Sequence, residues 1–67
     1  MISVSVNGVP KELVRGTTVA ELLEGLGLRT DGVAVAVNRR VIPQSEHASL
    51  VLPSGAKIEV IRAVGGG

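Results

Sequence analysis

The chain opens with Ile2-Ser3-Val4-Ser5-Val6, in which apolar and polar side chains alternate. That period of two predicts a half-buried strand. Asn7-Gly8 follows directly. An Asn-Gly pair suits a type I′ hairpin turn, where both central residues take positive φ. The chain resumes as Val9-Pro10-Lys11-Glu12-Leu13-Val14, a second strand. A two-residue turn sets the register: Val6 opposite Val9 and Ile2 opposite Leu13. Pro10 has no N–H for a ladder, so this strand belongs at a sheet edge.

The period then changes. Val19, Leu22, Leu23 and Leu26 stand at i, i+3, i+4 and i+7, one face of a helix. Thr18-Val19-Ala20-Glu21 predicts its start as a capping box, with the Thr18 hydroxyl and the Glu21 carboxylate each serving the other's backbone amide. Gly25 and Gly27 are stop signals, and Glu24 points to solvent. Thr30-Asp31-Gly32 is a turn, and Val33-Ala34-Val35-Ala36-Val37 reads as a buried strand, short and rich in β-branched residues. Asn38-Arg39 turns the chain into a short strand at Arg40-Val41-Ile42, which Pro43 ends. Ser45-Glu46-His47-Ala48 is expected as a helical turn capped by Ser45, with His47 facing solvent. After the apolar stretch Leu50-Val51-Leu52 and a turn at Pro53-Ser54-Gly55, Lys57-Ile58-Glu59-Val60-Ile61-Arg62 forms the last strand. Ile58 and Val60 take its core side, which leaves Ile61 facing outward.

Residues 1–64 read as one domain and 65–67 as a flexible glycine tail. One amphipathic helix laid across one face of a mixed four- to five-stranded sheet is the simplest packing, an α+β arrangement. Composition sharpens this in two ways. There are no cysteines and no Phe, Tyr or Trp. The core must therefore be aliphatic, with no disulfide or thiolate metal site to support it. Seven basic and six acidic side chains nearly cancel, which argues against a nucleic-acid or anionic-membrane partner. The absence of aromatic platforms points the same way for nucleic acid. No apolar run reaches membrane-spanning length, and the N-terminus lacks signal-peptide character, so the expected compartment is the cytoplasm.

The opening strand with its Asn-Gly turn, the run Gly16-Thr17-Thr18-Val19-Ala20-Glu21-Leu22-Leu23, and Val35-Ala36-Val37-Asn38 through Val41-Ile42-Pro43 and Ser45-Glu46 form one pattern. It closes with Ile58-Glu59-Val60-Ile61 leading into Gly66-Gly67. Taken together, nearly the whole chain resembles the sulfur carriers of the ubiquitin-like β-grasp superfamily, most of all those serving thiazole formation in thiamine synthesis. The resemblance implies that the first and last strands pair at the centre of the sheet and that the second strand lies at an edge. His47 stands where that family often carries an aromatic, and Gly65 adds a third glycine to the tail.

The same resemblance implies a role for the end of the chain. The Gly67 carboxylate would be adenylated by an E1-like partner enzyme and converted to a thiocarboxylate. That group would donate sulfur to a thiazole synthase or another acceptor enzyme. Gly65 and Gly66 would thread into the partner, since glycine takes up φ/ψ values closed to other residues. Ile61, Arg62 and Val64 are the candidate docking residues. Ile61 and Val64 either form an exposed apolar patch or pack partly beneath the tail or a neighbouring strand, and Arg62 either meets an acidic partner or is a solvated strand end. The chain itself has no cysteine nucleophile, no partner set for its one histidine and no Walker-type loop. No catalytic residue, metal or bound cofactor is expected. ATP and the sulfur donor, a cysteine desulfurase or similar, belong to the partners, and the chain is a cosubstrate, monomeric when free. Carriers for molybdopterin, for tRNA thiolation or for sulfur-containing natural products share this fold and tail. A ubiquitin-like modifier whose terminus forms an isopeptide bond is the alternative of another class.

Overall fold

The computed structural model describes residues 1–28 and 32–62, with Arg62 by its backbone only. The strands are β1 (Ile2–Val6), β2 (Val9–Leu13), β3 (Val33–Val37), β4 (Arg40–Ile42) and β5 (Lys57–Arg62); the helix α1 is Val19–Gly25. They form a five-stranded sheet in the order β2-β1-β5-β3-β4. The two hairpins are antiparallel, whereas β1 and β5 run parallel at the centre.

The first hairpin has the register that the alternation and the two-residue turn require: Ile2 opposite Leu13 and Val6 opposite Val9. Asn7 and Gly8 take φ of 50° and 83°, the mirror-image turn that matches strand twist. Pro10 sits on β2, at the sheet edge, where its missing N–H leaves no gap in the ladder. Strand β2 ends at Leu13, one residue before the expected boundary. The Val14 carbonyl instead accepts from the Thr17 amide at 3.1 Å and from the Thr17 hydroxyl at 2.6 Å. Those bonds close a turn in place of another ladder rung.

Both halves of the capping box form. The Glu21 N–H donates to Thr18 Oγ1 at 3.2 Å, and the Thr18 N–H donates to Glu21 Oε1 at 2.9 Å. The C-terminus is closed by Gly27 at φ 76°. Its N–H donates to the Glu24 carbonyl at 3.0 Å, and that of Leu28 to the Leu23 carbonyl at 2.9 Å. This is the paired bonding of a Schellman motif, which needs a left-handed residue at that position. The helix buries Val19, Leu22 and Leu23.

The core is aliphatic throughout. Ile2 and Val4 of β1, Val35 and Val37 of β3, Ile42 of β4, and Ile58 and Val60 of β5 meet the helix leucines. Leu52 and Ala56 close one end. Removing this much apolar area from water is the main source of stability in a chain with no covalent staple.

Two expectations for residues 43–48 are corrected. The turn there is a 3₁₀ helix at Gln44–Glu46 with Pro43 as its N-cap and no side-chain cap, so Ser45 does not start it. Pro43 is already held at φ −60° by its ring. Its carbonyl takes the Glu46 N–H at 2.9 Å, two residues earlier than a Ser45 cap would allow. Nor does His47 face solvent: it is 2% exposed. Its Nε2 lies 3.1 Å from the Ile42 carbonyl, which only accepts, so Nε2 carries the proton. Its own carbonyl takes the Ala20 N–H at 2.8 Å. His47 therefore ties the end of β4 to the helix, by its ring on one side and its backbone carbonyl on the other, while its buried Nδ1 has no hydrogen-bond partner.

The following strap is also pinned to the start of the helix. The Val19 N–H donates to the Leu50 carbonyl at 3.0 Å, and the Leu52 N–H to the Thr17 carbonyl at 2.9 Å. No helix among the described residues is long and apolar enough to cross a membrane.

Candidate functional site at the end of the central strand

Strand β5 lies between β1 and β3, the middle of the sheet. Its inward side chains, Ile58 and Val60, are buried against the helix layer. The period of two then sends Lys57, Glu59 and Ile61 to the opposite, uncovered face. Ile61 is 64% exposed, as its place in the alternation predicts. Directly beside it on β3 is Ala34, its register partner, and one step further in Ala36 stands between Glu59 of β5 and Val41 of β4. Val41 is 71% exposed. Ile61, Ala34, Ala36 and Val41 thus form an apolar strip across the open face of three strands, with Glu59 and Lys57 at its border. Leaving large aliphatic side chains on an open face costs solvation and suits a surface that a partner covers.

The other residues picked from the sequence as candidates lie further along. Arg62 is the last residue of β5, and its side chain is outside the described part of the structure. Val64, Gly65, Gly66 and Gly67 lie wholly outside the described residues, as do Thr30 and Asp31 of the expected turn. Of the docking candidates, Ile61 is the one whose environment is seen.

Elsewhere the surface offers no catalytic assembly among the described residues. No group of three or more His, Cys, Asp or Glu side chains is arranged to hold a metal ion. A surface groove of about 440 Å³ runs beside β4 between Val41, Pro43, Val51 and Pro53. Its charged members, Arg40 and Glu46, face it without a nucleophile between them. His47, the one histidine of the chain, is buried and bonded to backbone.

Two asparagines bond β5 in a way the sequence does not announce. From the sequence, Asn7 and Asn38 each read only as turn residues. In the structure each also bonds β5. The Val60 N–H donates to Asn7 Oδ1 at 2.9 Å, and Asn7 Nδ2 donates to the Val60 carbonyl at 3.2 Å. The Lys57 N–H donates to Asn38 Oδ1 at 2.9 Å, and the Asn38 N–H donates to the Lys57 carbonyl at 2.8 Å. The only local signal was that both turns open with Asn, whose side chain carries the donor and acceptor of a peptide group.

Comparison with known proteins places this arrangement. The model of the ThiS family matches residues 4–67. The chain belongs to the ThiS family. It is 33% identical over 61 residues to the sulfur carrier protein ThiS of Escherichia coli, an alignment covering 91% of this chain and 92% of that one. It is also 36% identical over 66 residues to a thiazole synthase of Magnetococcus marinus, covering 98% of this chain but 20% of that protein. The chain spans about a fifth of the length of the thiazole synthases it matches. Among solved structures, the thiamine biosynthesis protein ThiS of Geobacter metallireducens superposes with a TM-score of 0.83 at 26% identity, covering 98% of this chain and all of that one. The mixed sheet with one helix across a single face is the ubiquitin-like β-grasp fold of this ThiS relative.

Proposed function

We propose that this chain is a sulfur carrier with Gly67 as its carboxyl terminus and chemical handle. The observation that carries the reading is the placement of β5 in a member of the ThiS family. The central strand runs beside an uncovered apolar strip containing Ile61, and five residues beyond its end the sequence reaches Gly67. In this reading the chain serves its partner enzymes as a cosubstrate, in keeping with its likeness to the sulfur carrier protein ThiS of Escherichia coli.

The chemistry follows from the weakness of a carboxylate as an electrophile. On an E1-like partner, a Gly67 carboxylate oxygen attacks the α-phosphorus of ATP and pyrophosphate leaves. The acyl adenylate that results has AMP as a good leaving group. A persulfide sulfur, supplied by a cysteine desulfurase or similar donor, attacks the acyl carbon and displaces AMP. Two electrons from a thiol then cleave the S–S bond and leave a thiocarboxylate on Gly67. That sulfur is nucleophilic and passes to the acceptor. ATP and donor are bound by the partners.

The acceptor we infer is a thiazole synthase, in the thiamine pathway. Support comes from the thiazole synthases of which a segment similar to this whole chain forms part. Fusion of carrier and acceptor raises the effective concentration of one for the other. Gly65 and Gly66 thread the partner's channel, because they lack the Cβ that a narrow passage would exclude. Ile61, with Arg62 and Val64 beyond it, docks the folded domain and offsets the ordering entropy of the tail.

The test is an intact-mass measurement. The protein is incubated with a ThiS-adenylating enzyme, ATP and a sulfur donor. Exchange of one oxygen for sulfur at the terminus is expected, and deletion of Gly67 should abolish it while leaving the thermal midpoint unchanged. An unchanged mass beside a control carrier that is converted would refute the reading. High-mass lysine conjugates in its place would indicate a protein modifier.

A further inference from the structure

The strand that leads to Gly67 is supported unequally along its two edges. On one edge β3 accompanies β5 to its last residue, where Val33 stands opposite Arg62. On the other edge β1 pairs only with Lys57 and Ile58 before turning away at Asn7-Gly8. Main-chain bonds along that edge step by two: the Ser5 N–H donates to the Ala56 carbonyl at 3.0 Å, and the Asn7 N–H to the Ile58 carbonyl at 2.9 Å. The next step reaches Val60, where β1 has no backbone left to offer.

The Asn7 side chain fills that place. It accepts from the Val60 N–H and donates to the Val60 carbonyl, at 2.9 and 3.2 Å, from fifty-three residues away in sequence. A carboxamide carries the same donor and acceptor as a peptide unit, so the side chain extends the parallel ladder by one rung. The rung is part-buried, which shields it from water competition.

We propose that Asn7 is a positioning residue for charging of the carrier: its carboxamide fixes the end of β5, and so the direction from which residues 63–67 approach the activating partner. This rests on the sulfur-carrier reading given above. The physical reason is that a carboxylate must meet the α-phosphorus of ATP along a narrow line of approach. Small displacements there are costly in rate. With the Val60 rung lost, β5 is held on one edge alone beyond Ile58, and its end samples more directions. Ile61 keeps its pairing with Ala34, so the docking strip stays in place. The effect should therefore fall on turnover and not on affinity.

Asn38 supplies the control. Its side chain bonds Lys57, at the other end of the same strand. Both asparagines have positive φ, 50° and 52°, which glycine adopts freely. Asn7→Gly and Asn38→Gly thus remove one carboxamide each without opposing the turn.

The experiment measures adenylation kinetics of the full chain with its partner enzyme, alongside hydrogen exchange of the Val60 amide. Asn7→Gly should lower kcat about tenfold, keep KM within about twofold and speed exchange at Val60. Asn38→Gly should keep kcat within about twofold of the parent. Asn7→Asp keeps the acceptor and loses the donor, so its kcat should lie between those of the parent and Asn7→Gly. It carries the comparison if Asn7→Gly does not fold. Equal kcat losses in the two glycine variants, an unchanged kcat in Asn7→Gly, or a change confined to KM would overturn the inference while leaving the carrier reading intact. A parent protein that is not charged at all would overturn the carrier reading, and this inference with it.

Discussion

Single residues carry more than local geometry in this chain. Arg39 is the second residue of the β3–β4 turn and sits at φ 69°, in the left-handed region where a Cβ is crowded. The hairpin needs that conformation, and among the described residues the Arg39 side chain makes no hydrogen bond to offset it. Arg39→Gly should therefore raise stability by about 1 kcal/mol, the relief of that strain exceeding the extra unfolded-state entropy of glycine. A urea midpoint that stays the same or falls would show that the arginine stem contributes packing that offsets the strain. His47 teaches the opposite lesson. Its charge-capable ring suggested a solvent position, yet it fills a core site and spends Nε2 on the Ile42 carbonyl. In a core with no aromatic side chain, imidazole is the one flat ring available for that space.

Secondary-structure elements were the most legible part. The β1–β2 register followed from alternation and a two-residue turn, because a slip of one residue would expose Ile2 and Val4. The helix start was legible because a capping box spans four residues, and both of its bonds are present. Thr18→Ala should cost about 1 kcal/mol in urea unfolding, the usual value of an N-cap side chain. A loss within error would mean that the Leu50 and Leu52 backbone bonds alone hold the helix start. The turn after β4 departs from expectation because Ser45 is a good cap by type, whereas Pro43 sets the backbone two residues ahead of it. The short strap through Val51, which bridges to Thr18, gave no periodic signal at all.

For the molecule as a whole, one face of the sheet is covered by the helix and the other is open. The open face carries Ile61, Ala34 and Val41 near the end of the strand that leads to Gly67. Ile61→Asp should raise the KM for the adenylating partner about tenfold, the scale of a moderate interface anchor. Because Ile61 lies outside the core, its thermal midpoint should move by no more than a few degrees. Equal KM values would place the docking surface elsewhere, the β4 groove being the next candidate. The tail residues Gly65, Gly66 and Gly67 were picked from the sequence alone, and the proposal for them stands on the family and on the strand that precedes them.

The order of elements, the hairpin register, the caps of α1 and the outward aim of Ile61 are all readable in the sequence. Each is decided by side chains within a few positions of one another, through periodicity, turn chemistry and capping. The tertiary structure alone decided that His47 is buried and that Asn7 and Asn38 reach across to β5. Those outcomes depend on groups far apart in the chain that meet only when the sheet closes. A carboxamide looks the same in sequence whether water or a strand edge takes its hydrogen bonds, and only packing chooses between them.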